Sequence, residues 1–368
     1  MKKAIKSSIH RPDWILFGVV FALLLFGLLM IFNASPVTSL RDFGDNLYLI
    51  RLQLAWAGLG IFIAFVVFLI PYTFWQKIAP FILIGSLVLL VAVLIPAFGL
   101  KVYGAQRWLN FGWHSLQPAE FAKLAYIIYM SSILSKGVKV KQFLIVTAIF
   151  AVILLLQKDL GTTIVLVSAG LSIFFVAGAS WWYFLALGPI SAIFGSVLIF
   201  LSDYRRARFL CLLNPTADQQ GICYHIYQSL LALGSGGVFG IGLGQSRQKY
   251  GFIPEVATDS IFDVIGNELG FFGVLVLISV FLLLIYRGFK IASSAPDKFS
   301  YLLVVGITTW IGMQALINIA GLSALLPLVG VPLPFISYGG SSLVVTLIAV
   351  AILLNISRYT KQDPINFR

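Results

Sequence analysis

Three carboxylates crowd residues 259–268, read as DSIFDVIGNE: Asp259, Asp263 and Glu268. Glu120 and Lys123 stand at i and i+3, and Asp159 lies in QKDLGT at 157–162. All are embedded in or abut long apolar runs, where an ionisable group costs a few kcal/mol unless it is paired or hydrated. A carboxylate at such a boundary can act as a general base. Cations such as Arg107, Lys123 and Lys249 suit charge that develops on a phosphate. Each residue also has a plainer reading. Glu120 and Lys123 can neutralise one another between helices, Asp159 can cap a helix, and Thr258-Asp259 can open one. Helical spacing places Asp259 and Asp263 on one face and turns Glu268 roughly 140° from Asp263. One cavity need not serve all three, and Asp263 and Glu268 are read as structural.

The elements that must position these groups are set by composition. Of 368 residues, 60% are apolar and 10% charged, against about 25% charged in a soluble domain, and the mean hydropathy is +0.99. These values exclude a soluble enzyme, a disordered scaffold and a disulfide-stapled secreted domain. A bilayer core about 30 Å thick needs about 20 apolar residues per helix. The expectation is an all-α polytopic membrane protein of about ten spans: 14–32, 49–70, 78–95, 118–134, 141–156, 161–176, 181–201, 259–285, 299–319 and 341–356. The first reads as a retained anchor rather than a cleaved signal, since Phe32-Asn33-Ala34 is no small-x-small site.

Lys and Arg fall in 1–13 (Lys2, Lys3, Lys6, Arg11), at Lys77, in 135–141, in 286–298 and in 357–368 (Arg358, Lys361, Arg368). By the positive-inside rule both tails, 1–13 and 357–368, are cytoplasmic, and the 202–258 loop between the seventh and eighth spans is extracytoplasmic. The net charge of +12 is then largely topological, which argues against a nucleic-acid role. Trp14, Trp75, Trp108, Trp113, Trp181 and Trp182 fall near span ends, as an interfacial belt would. In this topology Glu120, Lys123, Asp159, Asp259 and Asp263 all lie near the outer leaflet, as do Arg107 and Lys249.

The long loop contains Ile222–Leu233, too short to span and expected along the interface. Its Gly-rich run, 234–244, lacks nucleotide-loop spacing. Cys211 and Cys223, both in this loop, are a possible disulfide or two free thiols. His114 and His225 lie outside too, but no two-His, carboxylate spacing points to a protein-held zinc.

Seven stretches together resemble one family, the SEDS proteins of shape, elongation, division and sporulation, which include FtsW and RodA. They are GAQRWL at 104–109, QPAEFAK at 117–123, KDLGT at 158–162, YQSL at 227–230, PEVATD at 254–259, NELG at 267–270 and PLPFISYGGSS at 332–342. The 242–249 stretch looks more like the division branch, FtsW, than the elongation branch. Two positions depart from the family pattern: Ala257 replaces a His before the Thr-Asp pair, and Asn267 replaces the first Glu of Glu-Glu-Leu-Gly.

The resemblance implies one transmembrane domain over 1–368 and a peptidoglycan glycosyltransferase that polymerises lipid II at the outer face of the bacterial cytoplasmic membrane. It implies Asp259 as general base and undecaprenyl pyrophosphate as leaving group. Arg107, Glu120, Lys123, Asp159, Lys249, Glu255, Ser341 and Ser342 would bind substrate. A divalent cation, Mg²⁺ or Mn²⁺, could assist. The implied partners are a class B penicillin-binding protein and other divisome proteins. A lipid II flippase and a non-catalytic divisome scaffold are the alternatives. The 332–342 segment should shape the cavity, since Pro332 and Pro334 bar a regular helix and irregular backbone at membrane depth needs protein or water to satisfy it.

Overall fold

The structure, a computed structural model, describes residues 10–102, 105–110, 115–200 and 202–359. Lys2, Lys3, Lys6, Gly104, Trp113, His114, Lys361 and Arg368 lie outside the described residues. The helices run in the order α1 (Trp14–Ala34), α2 (Pro36–Phe43), α3 (Tyr48–Leu69), α4 (Tyr72–Leu94), α5 (Pro118–Leu134), α6 (Val140–Leu156), α7 (Leu160–Val176) and α8 (Trp181–Phe200). They continue with α9 (Asp203–Leu213), α10 (Tyr224–Gly236), α11 (Ile261–Ser293), α12 (Lys298–Leu322) and α13 (Gly340–Ser357). Each predicted apolar run falls on one of these. Among the described residues, α1, α3, α4, α11, α12 and α13 are long and apolar enough to cross a membrane, whereas α6 and α7 are apolar but shorter.

Two expectations need correction. The chain is not purely helical: β1 (Gly99–Val102), β2 (Ala105–Asn110) and β3 (Ser115–Leu116) form an antiparallel sheet between α4 and α5. These strands are too short to register in a search for membrane-length runs. The second correction concerns α11, which begins at Ile261, so Asp259 precedes the helix and its expected shared face with Asp263 does not exist. Residues 202–258 carry two helices, α9 and α10, and α10 covers most of the 222–233 stretch.

Local chemistry explains the helix starts. Asp13 caps α1 by accepting from Leu16 N, Asp297 and Ser300 form a capping box on α12, and Pro118 occupies the first turn of α5, where its missing N–H costs nothing. At one end of the bundle Arg287 pairs with Asp13 at 2.5 Å, Tyr72 bonds Asp297 at 2.5 Å, and Asn355 joins Phe68 O to Tyr72 N. The candidate site occupies the opposite end. Helices α5, α12 and α13 are largely buried, while side chains such as Phe62, Phe65, Phe81 and Val88 point outward. That apolar exterior is what lipid contact requires.

Helix α11 is broken at Gly270, whose φ of 66° and ψ of −166° lie outside the helical region. Residues 237–242 run beside the break and exchange four backbone bonds with it. Ile241 N donates to Asn267 O at 3.1 Å and Gly242 N to Glu268 O at 3.1 Å, while Phe271 N and Phe272 N donate to Gly237 O and Val238 O at 2.9 and 3.1 Å. A Cβ on Gly270 would overlap Gly240 N, and one on Gly240 would overlap Glu268 O. Both positions also have positive φ, so glycine is required twice over.

Candidate active site

Asp259 lies just before α11, partly exposed, and its carboxylate has no hydrogen-bond partner among the described residues. The chain around it is fixed by its own backbone. Glu255, at φ 51°, accepts from Thr258 N and Ser260 N at 3.1 and 3.2 Å, and Thr258 Oγ1 donates to Glu255 Oε2 at 2.9 Å. Ser260 Oγ donates to Pro254 O, so the proton in its 2.7 Å contact with His225 belongs to Nε2 of the imidazole. Burial, then the Arg208 charge, push His225 down to about 4, which leaves it neutral near pH 7. Tyr338 N donates to Ala257 O at 2.8 Å, and Asn318 Nδ2 donates to Asp259 O at 2.8 Å.

Burial raises the Asp259 carboxyl, the Glu255 charge adds to this, and the Arg107 and Arg208 charges oppose it; the balance stands at about 6. A carboxylate in that position is ionised at neutral pH yet basic enough to take a proton.

Arg107 projects from β2 and donates to Lys158 O, the carbonyl just before Asp159. Asp159 is the N-cap of α7 and accepts from both Thr162 N and Thr162 Oγ1, at 3.1 and 2.9 Å. Its oxygens are thus engaged in capping. Arg208, on α9, donates to Leu328 O at 2.6 Å and is a site cation that the sequence reading did not single out. Cys211 and Cys223 are disulfide-bonded, with Cα atoms 5.2 Å apart, and the bridge ties the end of α9 to the start of α10.

Lys123 and Lys249 stand elsewhere. Lys123 Nζ bonds Glu120 Oε1 at 2.9 Å and Gln314 Oε1 at 2.7 Å and lies 5.0 Å from the Trp310 ring centroid, with Lys123 and Glu120 each 1% exposed. This is the geometry of a self-neutralising pair between helices. Lys249 bonds Asn33 Oδ1 and Gly244 O, each at 2.8 Å, and Glu268 Oε1 at 3.4 Å. Glu268 also accepts from Asn33 Nδ2, Gly244 N and Ser246 N. Both lysine charges are therefore answered within the protein rather than presented at Asp259. Asp263 is fully buried and accepts from Ser229 Oγ at 2.7 Å, which fastens α10 to α11.

The 332–342 segment is irregular up to Gly340 and fully anchored. Gln314 Nε2 donates to Pro332 O at 3.0 Å, Leu333 N to Ser337 Oγ at 2.8 Å and Gly339 N to Gln53 Oε1 at 3.2 Å. Ser341 Oγ accepts from Gln117 N at 3.1 Å; Ser342 is partly exposed. Among the described residues no three His, Cys, Asp or Glu side chains converge as metal ligands.

A helical, lipid-compatible bundle with a carboxylate at one end that feels the charges of two arginines defines a polytopic membrane protein with a polar site at that end. The chain belongs to the FtsW/RodA/SpoVE family, described as "Cell cycle protein", which it matches over residues 13–362. It is 42% identical to the probable peptidoglycan glycosyltransferase FtsW of Geobacter metallireducens, covering 97% of this chain and 98% of that protein. It is 40% identical to the stage V sporulation protein E of Bacillus subtilis, covering 95% and 98%. Two solved structures share the fold. One, described as "Structural coordination of polymerization and crosslinking by a peptidoglycan synthase complex", has a TM-score of 0.81 and 28% identity, covering 96% of this chain and 99% of that one. The other is the Thermus thermophilus rod shape determining protein RodA, with a TM-score of 0.71 and 27% identity, covering 96% and 98%.

Proposed function

We propose that this protein is a peptidoglycan glycosyltransferase that polymerises lipid II into glycan strands, with Asp259 as its general base. The observation that carries the chemistry is the Asp259 carboxylate: held at about 6, without a hydrogen bond among the described residues, and acted on by Arg107 and Arg208. Family membership and the names of the relatives support the substrate and the reaction.

The acceptor's GlcNAc 4-hydroxyl loses its proton to Asp259 as its oxygen bonds to the donor's MurNAc anomeric carbon. The bond from that carbon to the diphosphate oxygen breaks, and its electron pair leaves with undecaprenyl pyrophosphate. A single displacement of this kind inverts the anomeric centre and needs no covalent nucleophile. Arg107 and Arg208 answer the charge on the departing diphosphate, and Asp259 then releases its proton to water. The donor arrives already activated, so no nucleotide site is needed. Mg²⁺ or Mn²⁺, if required, would be held by the diphosphate oxygens and water and would supply charge neutralisation there, leaving the Asp259 carboxylate free to take the proton.

The same reading makes the chain a multi-pass protein of the bacterial cytoplasmic membrane with about ten spans, cytoplasmic termini and the Asp259 end outward. It works in cell division beside other divisome proteins and a class B penicillin-binding protein that cross-links the new strand. The resemblance to a chain from a peptidoglycan synthase complex supports such a partner.

The test is lipid II polymerisation by the purified full chain, alone and with the transpeptidase, comparing wild type with Asp259→Asn. Glycan strands from wild type and none from the variant, at equal yield and melting temperature, are expected. Lipid movement without glycan product would favour a flippase, and neither activity would favour a scaffold.

A further inference from the structure

We infer that Asn318 is a positioning residue for Asp259: its one side-chain amide grips the Asp259 carbonyl and the facing strand of backbone together, setting where the base stands. The inference rests on the reading of Asp259 as general base.

Helix α12 is apolar, yet it carries two amides one turn apart, Gln314 and Asn318, which are 1% and 5% exposed. Buried amide hydrogens must find acceptors. Asn318 Nδ2 divides its two hydrogens between Asp259 O at 2.8 Å and Val331 O at 2.7 Å. Both acceptors are carbonyls, so the atom facing them is the amide nitrogen and not the oxygen. The first carbonyl belongs to the proposed base itself. The second is the neighbour of Gly330, the residue whose missing side chain leaves room for Asp259 Oδ2. Asn318 thus fixes the base and the wall of its pocket from a single rigid point. Gln314 extends the hold by donating to Pro332 O at 3.0 Å while receiving Lys123 and Trp310.

The backbone bonds at 255–260 fix the chain around Asp259, and Asn318 adds the side-chain hold on the Asp259 carbonyl itself. Asp259 lies outside α11, and its carboxylate makes no hydrogen bond among the described residues. Its direction is therefore inherited from its backbone, and Asn318 is the side chain bonded to the Asp259 carbonyl. Misplacing a reacting group by about 1 Å costs on the order of 100-fold in rate. Asn318 touches no reacting atom in this scheme and acts through Asp259 alone.

The test uses the purified full chain with Asn318→Leu, which keeps volume but removes both donors, and Asn318→Ser, which is small and keeps one. For Asn318→Leu we expect kcat to fall roughly 10- to 100-fold with KM for lipid II unchanged, and the acid limb of the pH–rate profile to move to lower pH as Asp259 becomes better hydrated. Asn318→Ser should fall between Asn318→Leu and wild type, which keeps the question answerable if the leucine variant does not fold. Wild-type kcat in both variants overturns the inference. So does a loss of kcat that comes with an equal loss of lipid II affinity and an unmoved pH limb, the result of a purely structural role. The two readings fail separately. Asp259→Asn at wild-type rate removes the base, whereas an inactive Asp259→Asn beside fully active Asn318 variants removes only the positioning.

Discussion

A Cβ placed on Gly330 would stand 2.9 Å from Oδ2 of Asp259, and Gly330 has a φ of +66° that a larger residue adopts only under strain. A methyl group there would push the carboxylate aside. Gly330→Ala should lose about 1 kcal/mol from backbone strain and, in addition, most of its polymerase activity. Gly178→Ala is the control. Its φ of +96° imposes similar strain, but it has open space around its Cβ position and should stay active. Melting temperature and lipid II turnover of the two variants separate strain from crowding.

The pH profile follows from Asp259, raised from 3.8 to about 6. A base must be ionised, so kcat/KM should fall with unit slope as pH drops below about 6 and be level above it. The stability linkage has the opposite sense. A folded-state value above the unfolded one favours the folded protein below pH 3.8, and that contribution is lost as pH rises from about 4 through about 6. Activity and melting temperature, each measured from about pH 4 to about pH 8 against Asp259→Asn, test both. A wild-type profile without the acid limb would remove Asp259 as the base.

Glu120 and Lys123 should behave as one buried unit. Breaking such a pair from one side costs about 3–5 kcal/mol, whereas exchanging both members for apolar residues is often neutral. Lys123→Met should therefore lower yield and melting temperature sharply, with Glu120→Leu/Lys123→Met recovering much of the loss. Arg107→Ala should instead keep yield and lose turnover. A stable but inactive Lys123→Met would return Lys123 to the leaving-group site.

The Cys211–Cys223 bridge reports the side on which the long loop sits, because such bonds persist in oxidising compartments. Protein denatured without reductant should take up no maleimide. With both cysteines changed to Ser, an added Gln219→Cys, at an exposed position, should label in intact cells with an impermeant reagent. Labelling only after lysis would put the loop inside. Ser246 would be a poor reporter, since it is fully buried.

The membrane-length helices are legible in the sequence because a run of apolar residues is a local property. Asp259 is legible because a carboxylate beside such a run demands a reason. The partners are not. Lys249 advertises its charge, but Asn33, which receives its Nζ, is 216 positions away. Gln314 and Asn318 are neutral amides in an apolar helix, and their spacing of four was the one available hint; their acceptors are backbone carbonyls, which leave no trace in residue type. Asp159 and Arg107 come near Asp259 only in three dimensions, with β2 reaching the α6–α7 turn through Arg107.

The break in α11 has a consequence for how the chain is assembled. Residues 271–293 run roughly 34 Å at 1.5 Å per residue, enough to cross a bilayer alone. The stretch before the break, IFDVIGNEL at 261–269, is held instead by residues 237–242, which come earlier in the chain. Backbone groups freed at a break have no partner in lipid, so the bend cannot form before that segment has reached it. The part of α11 before the break therefore matures with the loop rather than with the membrane helix to which it is joined. Asp259, two residues before α11, is thereby tied to the same loop segment rather than to the membrane-length part of the helix.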